Sequence, residues 1–235
     1  MTRKQTSAGD HRMLAHLPKH ERAELERHLQ AIELPFSMAL ILPHEPIQFV
    51  YFPTTALASL VTVFEDGATV ESGCVGREGF VGVPVILGAV ATPMQTVVQV
   101  PGDGFRIAAD AFRDAYERLP ALHDVVNRYI HTIFINASQS AACNRRHLVE
   151  ARLARWLLTS ADGIASDEVH ITQEYLSAML GVRRPGVTEA ALKLQSANLI
   201  RYSRGLVEIT DRPGLEEAAC ECYGVIKVEL DRLFA

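Results

Sequence analysis

The sequence predicts an α+β fold in three parts: an amino-terminal β-sandwich, one long helix, and a carboxy-terminal domain of short helices with a small β-hairpin. Three observations carry this expectation. Strand-length runs rich in Val, Ile, Phe and Tyr fill the stretch from Met38 to Ile107. A helical period takes over after Asp110 and persists. Two further helical segments then meet at "LGVRRPGVTEA", where Gly181, Pro185 and Gly186 interrupt the pattern beside two arginines.

Length and composition bound the possibilities. A chain of 235 residues can bury a full core in two modest domains, and 48% hydrophobic with 22% charged residues is ordinary globular composition. The formal charge of −5 argues weakly against a nucleic-acid partner, but phosphate binding depends on the field of one face. Between Arg183 and Arg204 five basic residues (Arg183, Arg184, Lys193, Arg201, Arg204) face one acid, Glu189, a local charge of +4. The polar start "MTRKQTSAGDHRM" lacks the apolar stretch of a secretion signal, and "VGVPVILGAVA" is far short of the ~20 residues of a spanning helix. A soluble, cytoplasmic chain with no membrane partner is expected. Four scattered cysteines, Cys74, Cys143, Cys220 and Cys222, read as reduced thiols.

In chain order, short amphipathic helices open the molecule, with Pro18 suited to a first helical turn and Leu25 and Leu29 on one face. The histidines His11, His16, His20 and His28 read as solvated positions on them. "PIQFVYFP", "ALASLVTVF", "ATVESGCV" and "MQTVVQV" are the strands, and Asp66-Gly67 predicts a hairpin with a type I′ turn. "ADAFRDAYERL" is a helix, and Pro120 starts the next. In that long helix Leu122, Val126, Tyr129, Ile133, Asn136, Ser140 and Cys143 recur at spacings of four and three, a heptad seam. Packing on its own domain is one reading. A partner helix from a second copy is the preferred one, which predicts a parallel homodimer with Asn136 and Ser140 fixing register. "NRRHLVEARLARWLLTSA" is another helix, and "DGIASDE" a loop.

Thr172 is a good N-cap for the next helix, with Glu174 in its positive first turn, and Gly181 supplies the left-handed residue that ends it. A second helix starting near Arg184 places Pro185 and Gly186 where a missing N–H costs nothing. Val187, Ala190, Ala191 and Leu194 then line its inner face. Two helices joined by a tight glycine turn form a helix-turn-helix, and "LIRYSRGLVEIT" adds a hairpin, or wing, around Ser203-Arg204-Gly205. In this motif the tip of the second helix enters the major groove, where arginine can pair with guanine or hold phosphate and Thr188 can touch a base. The predicted DNA-facing set is Arg183, Arg184, Thr188, Lys193, Arg201 and Arg204, with Thr172 and Gln173 at the start of the first helix. Glu189 reads as a surface partner of Lys193 at i, i+4 in preference to a cytosine contact.

A β-sandwich, a long helix and a winged helix-turn-helix in that order resemble the Crp-Fnr family of bacterial transcription regulators, over roughly Leu17 to Thr210. "ITQEYLSAMLGVRRPGVTEAALKLQSANLI" resembles the family's helix-turn-helix, and "VGREGFVG" its sensor-domain turn. The resemblance implies a jelly-roll, cyclic-nucleotide-binding-like sensor over residues 1–119, a dimerisation helix over 120–143 and a DNA-binding domain over 144–235. It implies a homodimer on an inverted repeat in double-stranded promoter DNA, with RNA polymerase and an effector as further partners. Where many members carry a glutamate and a base-contacting arginine, this chain has Pro185 and Glu189, so its operator differs. Gly76, Arg77, Gly79, Met94 and Gln95 correspond to the sensor's ligand pocket. Members that bind cyclic nucleotides hold the ribose with a glutamate and the phosphate with an arginine and serine. Arg77, Met94 and Gln95 stand there instead, so cyclic AMP is not the expected effector. The family's iron-sulfur branch uses an amino-terminal cysteine cluster, and no cysteine precedes Cys74.

No cofactor and no metal is expected. Cys220-Glu221-Cys222 reads as ordinary helical cysteines, since residues two apart on a helix point in different directions. Neither a Gly-x-Ser-x-Gly elbow nor a phosphate-binding glycine loop is present, so the chain is not expected to be an enzyme. The competing reading is a ligand-binding or enzymatic β-sandwich whose carboxy-terminal helices only mediate assembly.

Overall fold

The computed structural model describes residues 7–234. A 3-10 turn at Ala8–Asp10, α1 (Arg12–His16) and α2 (Lys19–Glu26) lead into β1 (Gln30–Leu34), β2 (Ala39–Ile41), β3 (Phe49–Pro53), β4 (Leu57–Val63) and β5 (Thr69–Val75). The short helix α3 (Val83–Ile86) precedes β6 (Gln95–Val100) and β7 (Gly102–Ala108). Strands β2-β6-β4-β5 form one antiparallel sheet and β1-β7-β3 the other. Leu34, Ile41, Tyr51, Ala58, Val75 and Val98, drawn from both sheets, share one buried cluster, as a sandwich requires. The four strands read from sequence are all present, joined by β1, β2 and β7.

The Asp66-Gly67 hairpin differs in turn type. Only Gly67 has positive φ (81°), and its N–H donates to the Phe64 carbonyl, so a right-handed turn ends in a left-handed glycine. The type I′ condition is met elsewhere, at Arg204 (φ 50°) and Gly205 (φ 81°).

Helix α4 (Ala109–Arg118) leads to α5 (Pro120–Arg146), 27 residues long. The orphan N–H groups of Ala121 and Leu122 at its start donate to Glu21 of α2, at 3.1 and 2.9 Å. The heptad seam is occupied within the chain. Leu122, Val126 and Tyr129 are buried against Phe52, Phe80 and Phe112, while Ile133 and Asn136 face the β-sandwich. Apolar spacing on a helix reports that a face is covered, not whose surface covers it, and here the β-sandwich and its flanking helices cover the first part of the seam while Cys143 packs on Cys220 and Cys222. The face left open carries Phe134, 67% exposed, with Ala137 and Ala141.

Helix α6 (Val149–Ile164) takes in residues 162–164 of the expected loop, and Glu168 of that loop begins β8 (Glu168–His170). Then come α7 (Gln173–Leu180), α8 (Arg184–Ser196), β9 (Ile200–Ser203), β10 (Leu206–Ile209), α9 (Arg212–Ala218) and α10 (Cys222–Leu233). The wing is thus a three-stranded sheet, ordered β8-β10-β9. Helix α10 packs back along α5 and ends with Leu233 in the core beneath α1 and α2.

Two further expectations are corrected. His11 is wholly buried: its Nε2 lies 2.8 Å from the Gly79 carbonyl and its Nδ1 accepts from Leu14 N–H, so it caps α1. Cys220 lies in the connection between α9 and α10 and only Cys222 is helical, so the rule for two residues on one helix does not apply. Both sulfurs are buried in a cluster with Cys143.

Candidate nucleic-acid interface

Helix α7 begins with the Thr172 hydroxyl accepting from Tyr175 N–H at 3.2 Å. It ends at Gly181, left-handed at φ 61°, where Gly181 N–H donates to Ala178 and Val182 N–H to Ser177, a Schellman closure. Only a residue without Cβ takes this bend cheaply, and the bend turns the chain at once into α8. Pro185 occupies the first turn of α8, and nothing lies within 4 Å of where a Gly186 Cβ would sit. Val187, Ala190, Ala191 and Leu194 are buried against α6 and α7, which fixes the outward direction of Arg183, Arg184 and Thr188.

The wing completes the surface. Thr172, Gln173, Arg184, Tyr202, Arg204 and Gly205 line one open notch, so the starts of α7 and α8 and the tip of the β9–β10 hairpin converge. The Thr188 hydroxyl has one proton to donate and lies within reach of two acceptors, Arg184 O at 3.0 Å and Gln173 Oε1 at 3.2 Å, one at each helix start. Arg204 holds a left-handed backbone that glycine or asparagine would take at lower cost.

The eight residues expected at DNA divide by their partners. Arg183, Arg184 and Arg204 are exposed and make no ion pair among the described residues. Lys193 is held by Glu150 at 3.1 Å and Glu189 at 3.3 Å, and Arg201 by Glu208 at 2.7 Å. Those two charges are compensated locally, so the unpaired positive charge shrinks to three arginines at the leading edge. The preferred Glu189–Lys193 pairing is present, and Glu150 is the partner that sequence spacing could not show.

The ligand-pocket candidates separate. A largely apolar cavity of about 210 Å³ lies between the sandwich and α5, and of the five only Met94 lines it, with Leu60, Phe80, Thr96, Ile133 and Asn136. Among the described residues no charged side chain lines it. Gly76 and Gly79 are packing positions: a Cβ on Gly76 would lie 2.5 Å from the backbone of Gly163 in α6, and one on Gly79 2.0 Å from the Tyr129 ring. Arg77 lines the cleft between the domains, its N–H donating to Gly163 O at 2.9 Å, and Gln95 opens β6.

Sequence reasoning missed the contact that docks the two domains. Glu71 of β5 is half-buried and accepts from Trp156 Nε1 of α6 at 3.0 Å and from Ser59 at 2.6 Å. Burial raises its carboxyl pKa, and the two hydrogen bonds oppose that rise. The Tyr175 ring of α7 rests on Phe36, 5.6 Å between centroids.

A sandwich domain, a long helix and a winged helix-turn-helix define an architecture shared with known regulators. Residues 151–218 match the family model described as a Crp-like helix-turn-helix domain. A curated relative, the HTH-type transcriptional regulator Cmr of Mycobacterium tuberculosis, is 29% identical over 111 residues. That match covers 46% of this chain and 44% of the relative, under half of each. FixK2 from Bradyrhizobium japonicum superposes with a TM-score of 0.66 at 11% identity, covering 82% of this chain and 98% of that one. A CRP-family transcriptional regulator from Thermus thermophilus gives 0.65 at 19% identity, covering 80% and 96%. Residues 151–218 are a Crp-like helix-turn-helix domain, carried on a chain with the Crp/Fnr fold.

Proposed function

We propose that the chain is a sequence-specific DNA-binding transcription regulator of the Crp/Fnr type, acting as a homodimer on an inverted repeat in promoter DNA. One observation carries the reading: Arg183, Arg184 and Arg204, the patch residues without ion pairs, sit at the tip of α8 and the tip of the wing. Arginine at a recognition-helix tip can donate two hydrogen bonds to one guanine, and a wing arginine can hold the adjacent backbone. The Cmr relative, itself a transcriptional regulator by name, supports this reading.

The open face of α5 around Phe134 is where a second copy would pair, in place of the seam that the sensor domain covers. Binding rather than catalysis is the role, RNA polymerase is a further partner, and the cytoplasm is the location; no helix among the described residues is long and apolar enough to cross a membrane. An effector in the sensor cavity would be small and apolar, because a cavity of about 210 Å³ with no cationic lining suits neither the size nor the phosphate of a cyclic nucleotide.

Selection of fragments from the source genome by the full chain tests the proposal. Recovered fragments should share an inverted repeat with half-sites about one helical turn, ~34 Å, apart. Recovery of fragments without a common motif would contradict it.

A further inference from the structure

Cys143, His147, Cys220 and Cys222 bring their ligand atoms within 4.8 Å of one another at the junction where α5 ends and α10 begins. We propose that these four side chains form a tetrahedral site for one divalent zinc-type cation, which clamps the long helix to the carboxy-terminal helix.

The distances match that chemistry. With metal–sulfur bonds of about 2.3 Å and metal–nitrogen bonds of about 2.0–2.1 Å, tetrahedral geometry separates two sulfurs by about 3.8 Å and a sulfur from a nitrogen by about 3.6 Å. Cys143 Sγ and Cys220 Sγ are 3.5 Å apart, and Cys222 Sγ lies 3.6 Å from His147 Nδ1. A polynuclear iron-sulfur cluster needs a wider cage, because its thiolates spread around several irons. Three thiolates and one imidazole make a Cys₃His set, a common structural zinc combination.

The surroundings complete the case. His147 presents Nδ1 to Cys222 while its Nε2 is 3.1 Å from the Glu221 carboxylate, the outer hydrogen bond that orients a metal-bound histidine and fixes its tautomer. Gln139 Nε2 donates to Cys222 Sγ at 3.1 Å, as amides do to metal thiolates. Arg152 and Arg155, both more than nine-tenths buried, have Nε atoms without hydrogen-bond partners and lie close enough to act electrostatically on the cysteine sulfurs. A dication with three thiolates and a neutral histidine carries one net negative charge, which offsets one of these two cations. Binding releases the three thiol protons to solvent, with no change of oxidation state.

Helix α6 begins two residues after His147, so the ion would hold the hinge between the sensor and the DNA-binding domain. This inference does not depend on the proposed function, since its readout is metal coordination.

The test is an anaerobic titration of the reduced, metal-free full chain with cobalt(II). The expected result is saturation at one ion per chain, with the strong visible bands of tetrahedral cobalt and a thiolate charge-transfer band, both abolished by excess zinc. Cys220→Ser and Cys222→Ser should each weaken the charge-transfer band. Glu221→Gln should keep the spectrum while lowering zinc affinity about 10–100-fold. Absence of a tetrahedral spectrum in the wild-type chain, a wild-type spectrum in both serine variants, co-purification of iron with inorganic sulfide at these cysteines, or a Cys143–Cys220 disulfide that persists in reductant would each overturn the proposal.

Discussion

Glu71, His11 and Gly76 show how much of this molecule depends on single side chains that join distant segments. His11 is neutral because burial lowers its pKa to about 3, the Gly79 hydrogen bond acting against that shift and Arg77 with it. A depressed value means that His11 contributes full stability above its ordinary value near 6.5, and loses it as pH falls toward 3. Chemical denaturation between pH 7 and 3 should show this loss, and His11→Asn, which can still cap α1, should be less stable at pH 7 with a shallower acid profile. Glu71 has the opposite sign: its raised pKa makes the docked carboxyl take up a proton more readily than a released one. The docking contribution is full below the ordinary value near 4.5 and declines as pH rises through the raised one. Trp156, the chain's single tryptophan, reports it directly. Its emission should change with pH across that window, and Glu71→Gln, which retains an acceptor, should remove the change. None of these contacts was legible in the sequence, because Glu71 and Trp156 are 85 residues apart and His11 and Gly79 68 apart.

At the level of elements, local capping and turn chemistry placed the helix-turn-helix and the wing, while two other local readings failed: the turn type at Asp66-Gly67 and the helical placement of Cys220. The Thr172 cap, the Gly181 bend, the start of α8 at Arg184 and the wing hairpin depend on residues within a few positions of each other, where capping and turn chemistry act. The α5 seam was misassigned because period alone is silent on the identity of the covering surface. The charged residues failed likewise: spacing found Glu189 for Lys193 but not Glu150 on α6 or Glu208 on β10. Ion pairing now ranks the basic residues. Arg184→Ala should cost about 1–3 kcal/mol and relax specificity at one base pair, as measured by competition with mutated sites. Lys193→Ala should leave DNA affinity nearly unchanged in the same assay. Gly181→Ala forces a left-handed alanine at a cost of about 1–2 kcal/mol, so the melting temperature should fall along with DNA affinity.

For the whole molecule, the docking of the two domains fixes where the tips of α8 and the wing stand relative to the β-sandwich. The sandwich and the winged domain share a core in which Leu57, Cys74 and Val100 of the sandwich pack with Leu153, Trp156 and Leu157 of α6. Gly76 and Gly163 permit backbone-to-backbone approach across that junction. Gly76→Ala cannot be absorbed by a flexible side chain, so it should loosen docking, seen as faster proteolysis between α5 and α6 with both domains still folded. The order of domains was legible because strand and helix periods differ so clearly; their docking was not, because it rests on two glycines and a half-buried carboxylate that look ordinary in isolation.

The central claim is that unpaired arginines on the α8 tip and the wing bring phosphates and bases of duplex DNA into contact with this chain. The most direct measurement is the salt dependence of binding to a selected promoter duplex, for the full chain and for the variant carrying both Arg184→Ala and Arg204→Ala. Each phosphate contact contributes about 0.9 to the log–log slope. The account predicts a steep fall in wild-type affinity with salt, and a variant that binds more weakly with a visibly shallower slope. Identical affinities and slopes for the two proteins, or wild-type binding indifferent to salt, would contradict it.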